Sequence, residues 1–311
     1  MEEKALVLYH KACLDGIAAA WVFHHKDPCG YEYIAVEYSE APPDVTGRKV
    51  YVVDFSFPRD VLIAMLEKAK HITIIDHHNG VVEKTKQIGV NEHKLFVLHN
   101  TKFSGSYLTH IHLNRGIPVP RFIKLIDDGD LYSFSDKKTK VFEAGLIGRG
   151  GLREDNRQNM FELFASLNQS TGIGMDFLYD TIYNDGIALI RSQSEEVIFQ
   201  VERSKRYGLI GGHRVPIANV SRNLRNQAAD LMNEGELFSV TYCDTATHRE
   251  FSIRKRTGEL NLSKVAEEYG GGGHSDAAAF KIKLEDPVSW ELLLDPEYMK
   301  RDVSNRAVIL P

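Results

Sequence analysis

The sequence predicts an α/β protein: a mostly parallel-sheet catalytic domain joined by a helical linker to a smaller α+β domain. Three observations predict it. Short β-branched apolar runs alternate with helical patterns over the first half, which is the signature of βαβ units and a parallel sheet. The pattern turns purely helical from about residue 160 to 206. Strand-like runs then resume, with helices between them, to the end of the chain. At 311 residues the length suits two domains. The boundaries expected are 1–180 for the first domain, 181–206 for the linker and 207–311 for the second domain.

The elements follow in order. A strand at 5–9 leads to Asp15-Gly16 and an Ala-rich helix from Ile17 to His25. Strands at 33–37 and 50–54 follow, then a helix from Arg59 to Ala69, with Pro58 at its start. The run Ile72-Thr73-Ile74-Ile75 reads as a buried strand. Phe96-Val97-Leu98 is another strand, Ser104-Gly105-Ser106 opens a helix to Asn114, and a helix from Pro120 to Ile126 ends at Asp127-Asp128-Gly129-Asp130. Asp185 to Ser204 reads as one long amphipathic connector. Strands are expected at 207–210, 215–220, 238–242 and 251–254, and helices at 224–234 and 262–269.

Composition narrows the function. The hydrophobic share is 43% and the charged share 26%, as in ordinary globular proteins. No apolar run approaches the roughly 20 residues of a membrane span. The N-terminus lacks the charge pattern and cleavage site of a signal peptide. Cys13, Cys29 and Cys243 form no CxxC pair, which excludes a zinc finger and a disulfide framework and fits a reducing cytoplasm. A net charge of −5 argues against a protein that coats long nucleic acid. Arginines and lysines nonetheless crowd one C-terminal stretch, Arg222, Arg225 and Arg254 among them, and such groups suit phosphate.

Three apolar runs end in potential metal ligands: Leu6–Tyr9 in His10, Val50–Val53 in Asp54, and Ile72–Ile75 in Asp76-His77-His78. In a parallel sheet such ends meet at one edge, where open α/β sheets bind ligands. Imidazoles mixed with carboxylates suit divalent cations such as Mn²⁺. Two ions about 4 Å apart can activate water and offset phosphoryl charge. His10, Asp15, Asp54, Asp76, His77, His78 and Asp128 supply the residue types such a pair needs. A second motif, Gly270-Gly271-Gly272-Gly273-His274, stands before Ala277-Ala278-Ala279, read as a small-residue helix. A glycine-rich turn into a helix offers backbone N–H groups to an oxyanion.

In their order and spacing these motifs resemble those of the DHH phosphoesterase family, which includes RecJ-type exonucleases and oligoribonucleases, over nearly the whole chain. The glycine run resembles the signature of the DHH-associated C-terminal domain. The resemblance implies a binuclear, usually Mn²⁺-dependent phosphohydrolase, with Mg²⁺ or Co²⁺ as substitutes and the active site in the interdomain cleft. Asp54 would bridge the metals, His10 would bind one, and Asp15, His77 and Asp128 the other. Among Asp127, Asp128 and Asp130, Asp128 is preferred and Asp130 is the runner-up. His78 would face phosphate and Asp76 would support an imidazole, the two forming the catalytic pair. Arg254, His274, Gly272, Gly273 and Ser104 would contact substrate.

The first motif departs from the usual His-x-Asp-x-Asp-Gly. Cys13 stands where the first Asp belongs, and His10 lies one residue further away. Cys13 is read as a small buried apolar residue in preference to a ligand. The expected activity is a metal-dependent phosphodiesterase acting on short RNA or DNA oligonucleotides or small (di)nucleotides, with Tyr107, Tyr132 or Phe134 available to stack a base. The alternatives are a RecJ-type exonuclease on single-stranded DNA, a phosphatase for a non-nucleotide ester, and a non-catalytic nucleotide-binding module, which the change at Cys13 favours. A homodimer through the connector helix is expected as an option.

Overall fold

The structure is a computed structural model. It describes residues 4–294 apart from 38–39, 87, 89–91 and 170–172, and the side chains of 173–176 lie outside the description. The chain divides into two compact units, Met1–Ile190 and Arg191–Pro311.

The first unit begins β1 (Ala5–His10), α1 (Leu14–Lys26), β2 (Tyr31–Val36), β3 (Lys49–Val53), α2 (Arg59–Lys68), β4 (His71–Asp76), α3 (Gly80–Thr85) and β5 (Leu95–His99). The five strands form one sheet in the order β2-β1-β3-β4-β5, and every pairing is parallel. Alternation along the strands splits the core in two. Val7, Tyr9, Val53 and Ile75 join one cluster, with Trp21 and Phe23 of α1. Leu6, Leu8, Val50, Val52, Ile72 and Ile74 join another, with Leu62, Met65 and Leu66 of α2. Both faces are therefore covered, as a parallel sheet requires.

The helices α4 (Gly105–Leu113), α5 (Arg121–Asp130), α6 (Thr139–Gly148) and α7 (Arg157–Gln169) follow, and then α8 (Ile173–Ser204), a helix of 32 residues. Two expectations are corrected here. The helix over the Asp-rich motif does not stop at Ile126 but runs through Asp130. The connector helix starts twelve residues before Asp185, with Gly186 in its interior, where a Cβ would collide with the Val141 carbonyl. The division between units falls within α8: Tyr179, Ile182 and Tyr183 pack in the first unit, and Val197 and Val201 in the second.

The second unit contains β6 (Arg206–Ile210), β7 (His213–Asn219), α9 (Arg225–Met232), β8 (Ser239–Asp244), β9 (His248–Arg254), α10 (Leu262–Glu267), β10 (Gly272–Gly273), β11 (Ala277–Lys283) and α11 (Val288–Glu291). Its sheet runs β10-β11-β9-β8-β7-β6, antiparallel except for β7 against β8. Ala277-Ala278-Ala279 is strand, not helix. It pairs with β9 from Ala277↔Arg254 to Lys283↔His248 and buries Ala278, Phe280 and Ile282 in turn. Cross-strand packing overrides the helical preference of alanine. Among the described residues, no helix is long and apolar enough to cross a membrane.

Candidate metal centre

The strand order creates the site. From β1 the chain steps to β2 on one side, then crosses back to β3 on the other. Ligands bind outside the carboxyl ends of the strands at such a switch point. There His10 ends β1, Asp54 follows β3, and Asp76 ends β4 with His77 and His78 beyond it.

Asp54 occupies the centre. It is 1% exposed and sits at φ 63°, a left-handed conformation that Asp tolerates better than most residues. Its N–H donates to the Ile75 carbonyl at 3.0 Å. Oδ2 lies 3.4 Å from His10 Nδ1, and Oδ1 lies 3.4 Å from His77 Nε2. His77 Nε2 also lies 3.1 Å from Asp130 Oδ2. Among the described residues, none of Asp54 Oδ1, Asp54 Oδ2, His77 Nε2 and Asp130 Oδ2 has a hydrogen-bond partner, although all are buried. Buried polar atoms are normally satisfied, so this set points at a missing partner. Ligand atoms of Asp15, Asp54, His77 and Asp130 lie within 4.8 Å of one another, as do those of His10, Cys13 and Asp54. A pair of divalent cations sharing Asp54 fits both groups.

Asp15 is fixed from α4. Ser104 Oγ donates to its Oδ1 at 2.6 Å, Ser106 Oγ to the same oxygen at 2.5 Å, and Ser106 N–H to both oxygens at 3.1 Å. Ser104 is 0% exposed and caps α4, which corrects the expectation that it contacts substrate. Its hydroxyl is consumed in holding Asp15. Gly105 between the two serines is forced by close approach: a Cβ there would lie 2.8 Å from Asp54 Cβ and 2.9 Å from Asp15 Oδ2. Asp15 and Gly16 lie inside the first turn of α1 rather than in a turn before it. Gly16 is needed because a Cβ would strike the His10 carbonyl.

The Asp-rich motif resolves differently from the sequence preference. Asp128 is turned away from the cluster. It accepts from Ser135 N–H at 2.8 Å, Ser135 Oγ at 2.5 Å, Asp136 N–H at 3.2 Å and Thr139 Oγ1 at 2.5 Å, organising the start of α6. Asp130, the runner-up, is the residue beside His77. Asp127 accepts from Ser104 N–H at 2.6 Å.

His78 is held by Asp76. Asp76 is 0% exposed, and its Oδ1 accepts from His78 Nδ1 at 2.7 Å, His77 N–H at 2.7 Å and His78 N–H at 3.2 Å. The His78 side chain is 44% exposed. The Asp76 bond fixes the orientation of this half-exposed ring.

The clustered carboxylates and imidazoles shift one another's ionisation. Burial, then the Asp54 charge, pushes Asp130 up to about 6. Burial, Asp54 and Asp130 raise Asp15 well above the usual carboxylate range. Burial works against Asp54, but His10, His77 and Cys13 outweigh it and hold its carboxyl low. Burial opposes protonation of His77, yet Asp54 and Asp130 raise it. His78 is raised first by its hydrogen bond to Asp76. Glu143 of α6 is a carboxyl the sequence reading passed over. It lies against Gly129 and is pushed up to about 7 by burial, then by Asp130 and Asp128. No local motif marks it, because α6 brings it in from outside the cluster of ligand-type residues.

In the second unit, Arg254 ends β9. Its Nη1 donates to the carbonyls of Ile253 at 3.0 Å and Ala278 at 3.3 Å, and its Nε to Asn226 Oδ1 at 3.4 Å. The glycine run is not a helix N-terminal cradle. Gly270 N–H donates to Glu267 O and Gly271 N–H to Ala266 O, closing the end of α10 with Gly270 at φ 73°. Gly272 and Gly273 pair with Ala279 and Ala278, and His274 N–H donates to Ala277 O at 2.8 Å. The His274 side chain is exposed. Beside this hairpin a cavity of about 310 Å³ is lined by Arg222, Arg225, Ser252 and Lys281, with Glu250 3.9 Å from Arg222.

No protein-family model matches the chain. The uncharacterized protein R106 of Acanthamoeba polyphaga mimivirus is 23% identical over 300 residues, covering 88% of this chain. The chain spans 66% of the length of that relative. Among solved structures, the pGpG-specific phosphodiesterase PggH of Vibrio cholerae superposes with a TM-score of 0.55 at 14% identity, covering 98% of both chains. RecJ of Thermus thermophilus, solved with Mn²⁺, gives 0.50 at 12% identity, covering 99% of this chain and 52% of RecJ. With His10, Asp54 and Asp76 at neighbouring strand ends of a five-stranded parallel sheet and a second unit built on a mixed sheet, the chain shares the two-unit α/β fold of PggH and RecJ.

Proposed function

We propose that this chain is a metal-dependent phosphodiesterase that hydrolyses short oligonucleotides or small (di)nucleotides. One observation carries the reading: Asp54 is buried, neither carboxylate oxygen has a hydrogen bond among the described residues, and each faces a different imidazole. Such a carboxylate would suit two cations, one beside each imidazole. Mn²⁺ is the proposed ion, with Mg²⁺ or Co²⁺ as substitutes. His10 and Asp54 would hold one ion, and Asp15, Asp54, His77 and Asp130 the other. When bound, such ions supply an activated water and offset charge on the phosphoryl oxygens.

The remaining roles belong to the chain itself. Ser104 and Ser106 fix Asp15 so that it does not reorient on ligation. Asp76 fixes the His78 tautomer by accepting from Nδ1 and favours the imidazolium, so the exposed edge of the ring donates to phosphate or to the leaving oxygen. Tyr132 is 79% exposed two residues beyond Asp130, and its ring lies 5.1 Å from Phe134 in T-shaped contact. This pair suits a nucleobase. Arg254 and the exposed His274 supply donors for a substrate phosphate. PggH is named as a pGpG-specific phosphodiesterase, and a linear dinucleotide lies within the proposed substrate class. Exposed Phe177, Ile187, Ile198 and Phe199 on α8 support the homodimer option, which sedimentation velocity checks.

The test is hydrolysis of pApA, pGpG, an RNA 5-mer, a long single-stranded DNA and a cyclic mononucleotide under Mn²⁺, Mg²⁺, Co²⁺ and chelator. Mn²⁺-dependent cleavage of the short substrates, lost in Asp54→Ala, supports the proposal. Preference for the long strand would favour a RecJ-type exonuclease, and nucleotide binding without turnover would make the chain a binding module.

A further inference from the structure

The two halves of the centre differ in chemistry. One group, Asp15, Asp54, His77 and Asp130, offers only oxygen and nitrogen. The other, His10, Cys13 and Asp54, offers a sulfur, and its ligand atoms lie within 4.8 Å of one another. The local backbone sets this sulfur in place. The chain turns out of β1 through Ala12 at φ 52°, and Cys13 then caps α1, its Sγ accepting from Gly16 N–H at 3.5 Å. The cap orients the side chain toward Asp54. Asp54 is 1% exposed, and its carboxylate oxygens lack a hydrogen-bond partner. The half-buried Cys13 thus sets its sulfur beside the His10 and Asp54 side chains.

We infer that Cys13 is a metal ligand, so that the His10–Cys13–Asp54 position selects a borderline-soft divalent cation such as Zn²⁺ or Co²⁺, while the other position keeps a harder ion such as Mn²⁺. This rests on the proposed metal centre and specifies what one half of it takes. Thiolate sulfur favours zinc over manganese, whereas carboxylate and imidazole accept manganese readily. On binding, the S–H bond breaks, a sulfur–metal bond forms and one proton passes to solvent. The product would be a centre with two different ions sharing the Asp54 carboxylate.

The experiment titrates the metal-stripped full chain with Co²⁺ alone and follows near-ultraviolet absorption together with bound-metal stoichiometry. The comparison set is wild type, Cys13→Ser, Cys13→Asp, and a Cys29→Ser/Cys243→Ser double variant. The expected result is a sulfur-to-cobalt charge-transfer band in wild type and in the double variant, absent from both Cys13 variants. Zn²⁺ should displace Co²⁺ from the sulfur position. Cys13→Ser should weaken Zn²⁺ binding beyond the roughly 10–100-fold typical of losing an outer-sphere partner. Cys13→Asp should shift the preference toward Mn²⁺. Bound Co²⁺ with no sulfur band, or with a band that persists in Cys13→Ser, overturns the inference and leaves the metal centre standing. Failure of wild type to bind any of the three ions overturns both. If a Cys13 variant does not fold, the spectrum of the Cys29→Ser/Cys243→Ser double variant, in which Cys13 is the remaining thiol, decides the matter.

Discussion

Ser106 grips Asp15 from 91 positions away, with its hydroxyl at 2.5 Å and its N–H at 3.1 Å from both carboxylate oxygens. The bond is between two residues on different helices, both fully buried. It keeps a crowded carboxylate aimed at the centre while two others, Asp54 and Asp130, repel it. Ser106→Ala should therefore weaken binding at the Asp15 position by about 10–100-fold, as loss of an outer-sphere hydrogen bond does. Isothermal titration with Mn²⁺ checks this, and an unchanged affinity would sink the assignment.

The two aspartates of α5 should separate cleanly. Asp130→Asn should lower bound-metal stoichiometry. It should also raise the melting temperature of the metal-free protein at pH 7, because it removes a carboxylate pushed up to about 6. Asp128→Ala should leave the stoichiometry intact but cost about 1–2 kcal/mol of stability, since its oxygens organise residues 135–139. Metal analysis and thermal melts on both variants decide between the two residues.

Glu143 gives a pH signature. Its folded pKa of about 7 lies above the ordinary value of 4.5, so the folded state binds the proton more tightly than the unfolded chain does. The resulting stability is fully present below the unfolded pKa and is lost as pH rises through about 7. In metal-free protein, Glu143→Gln should flatten this loss by about 1–2 kcal/mol, discounted for partial exposure. Urea midpoints at pH 5 and pH 8 measure it, and parallel curves for both proteins would contradict it.

Gly105→Ala places a methyl 2.8–2.9 Å from Asp54 Cβ and Cα. Neither atom is the end of a flexible chain, so helix α4 must withdraw and loosen Ser104 and Ser106 from Asp15. A loss of about 1–3 kcal/mol is expected, with a larger fall in metal affinity than Gly116→Ala, whose Cβ has open space and whose own cost comes from backbone strain at φ 80°.

Arg254→Ala and His274→Ala should each raise KM by about 10–100-fold, the equivalent of one charge-assisted hydrogen bond, with kcat changed less. Arg254→Lys should not rescue, because the guanidinium fork is already spread over Ile253 O, Ala278 O and Asn226. Steady-state kinetics on pGpG tests both.

The meeting of the strand-end residues was legible because a parallel sheet turns sequence order into position: His10, Asp54 and Asp76 end or follow strands that lie side by side. The Asp127–Asp130 choice was not, because the helix was taken to stop at Ile126. On a continuing helix Asp127 and Asp130 share a face at i and i+3, and Asp128 is turned aside. The hold of Ser106 on Asp15 leaves no local trace in the sequence. The three alanines of β11 hid a strand whose alternation is visible only from Phe280 onward, where pairing with β9 decides it.

A sheet with all its strands parallel has one chemical edge and one quiet edge. Cys29, the exposed thiol, lies two residues before β2 begins, at the quiet edge. Cys13 and Cys243 are both half-buried. A maleimide fluorophore or a surface tether placed on Cys29 would hold the molecule by its back. The rim that carries His10, Asp54 and His78 lies at the other end of the same sheet, so that the proposed ion binding could be watched on single immobilised molecules without a tag among the candidate ligands.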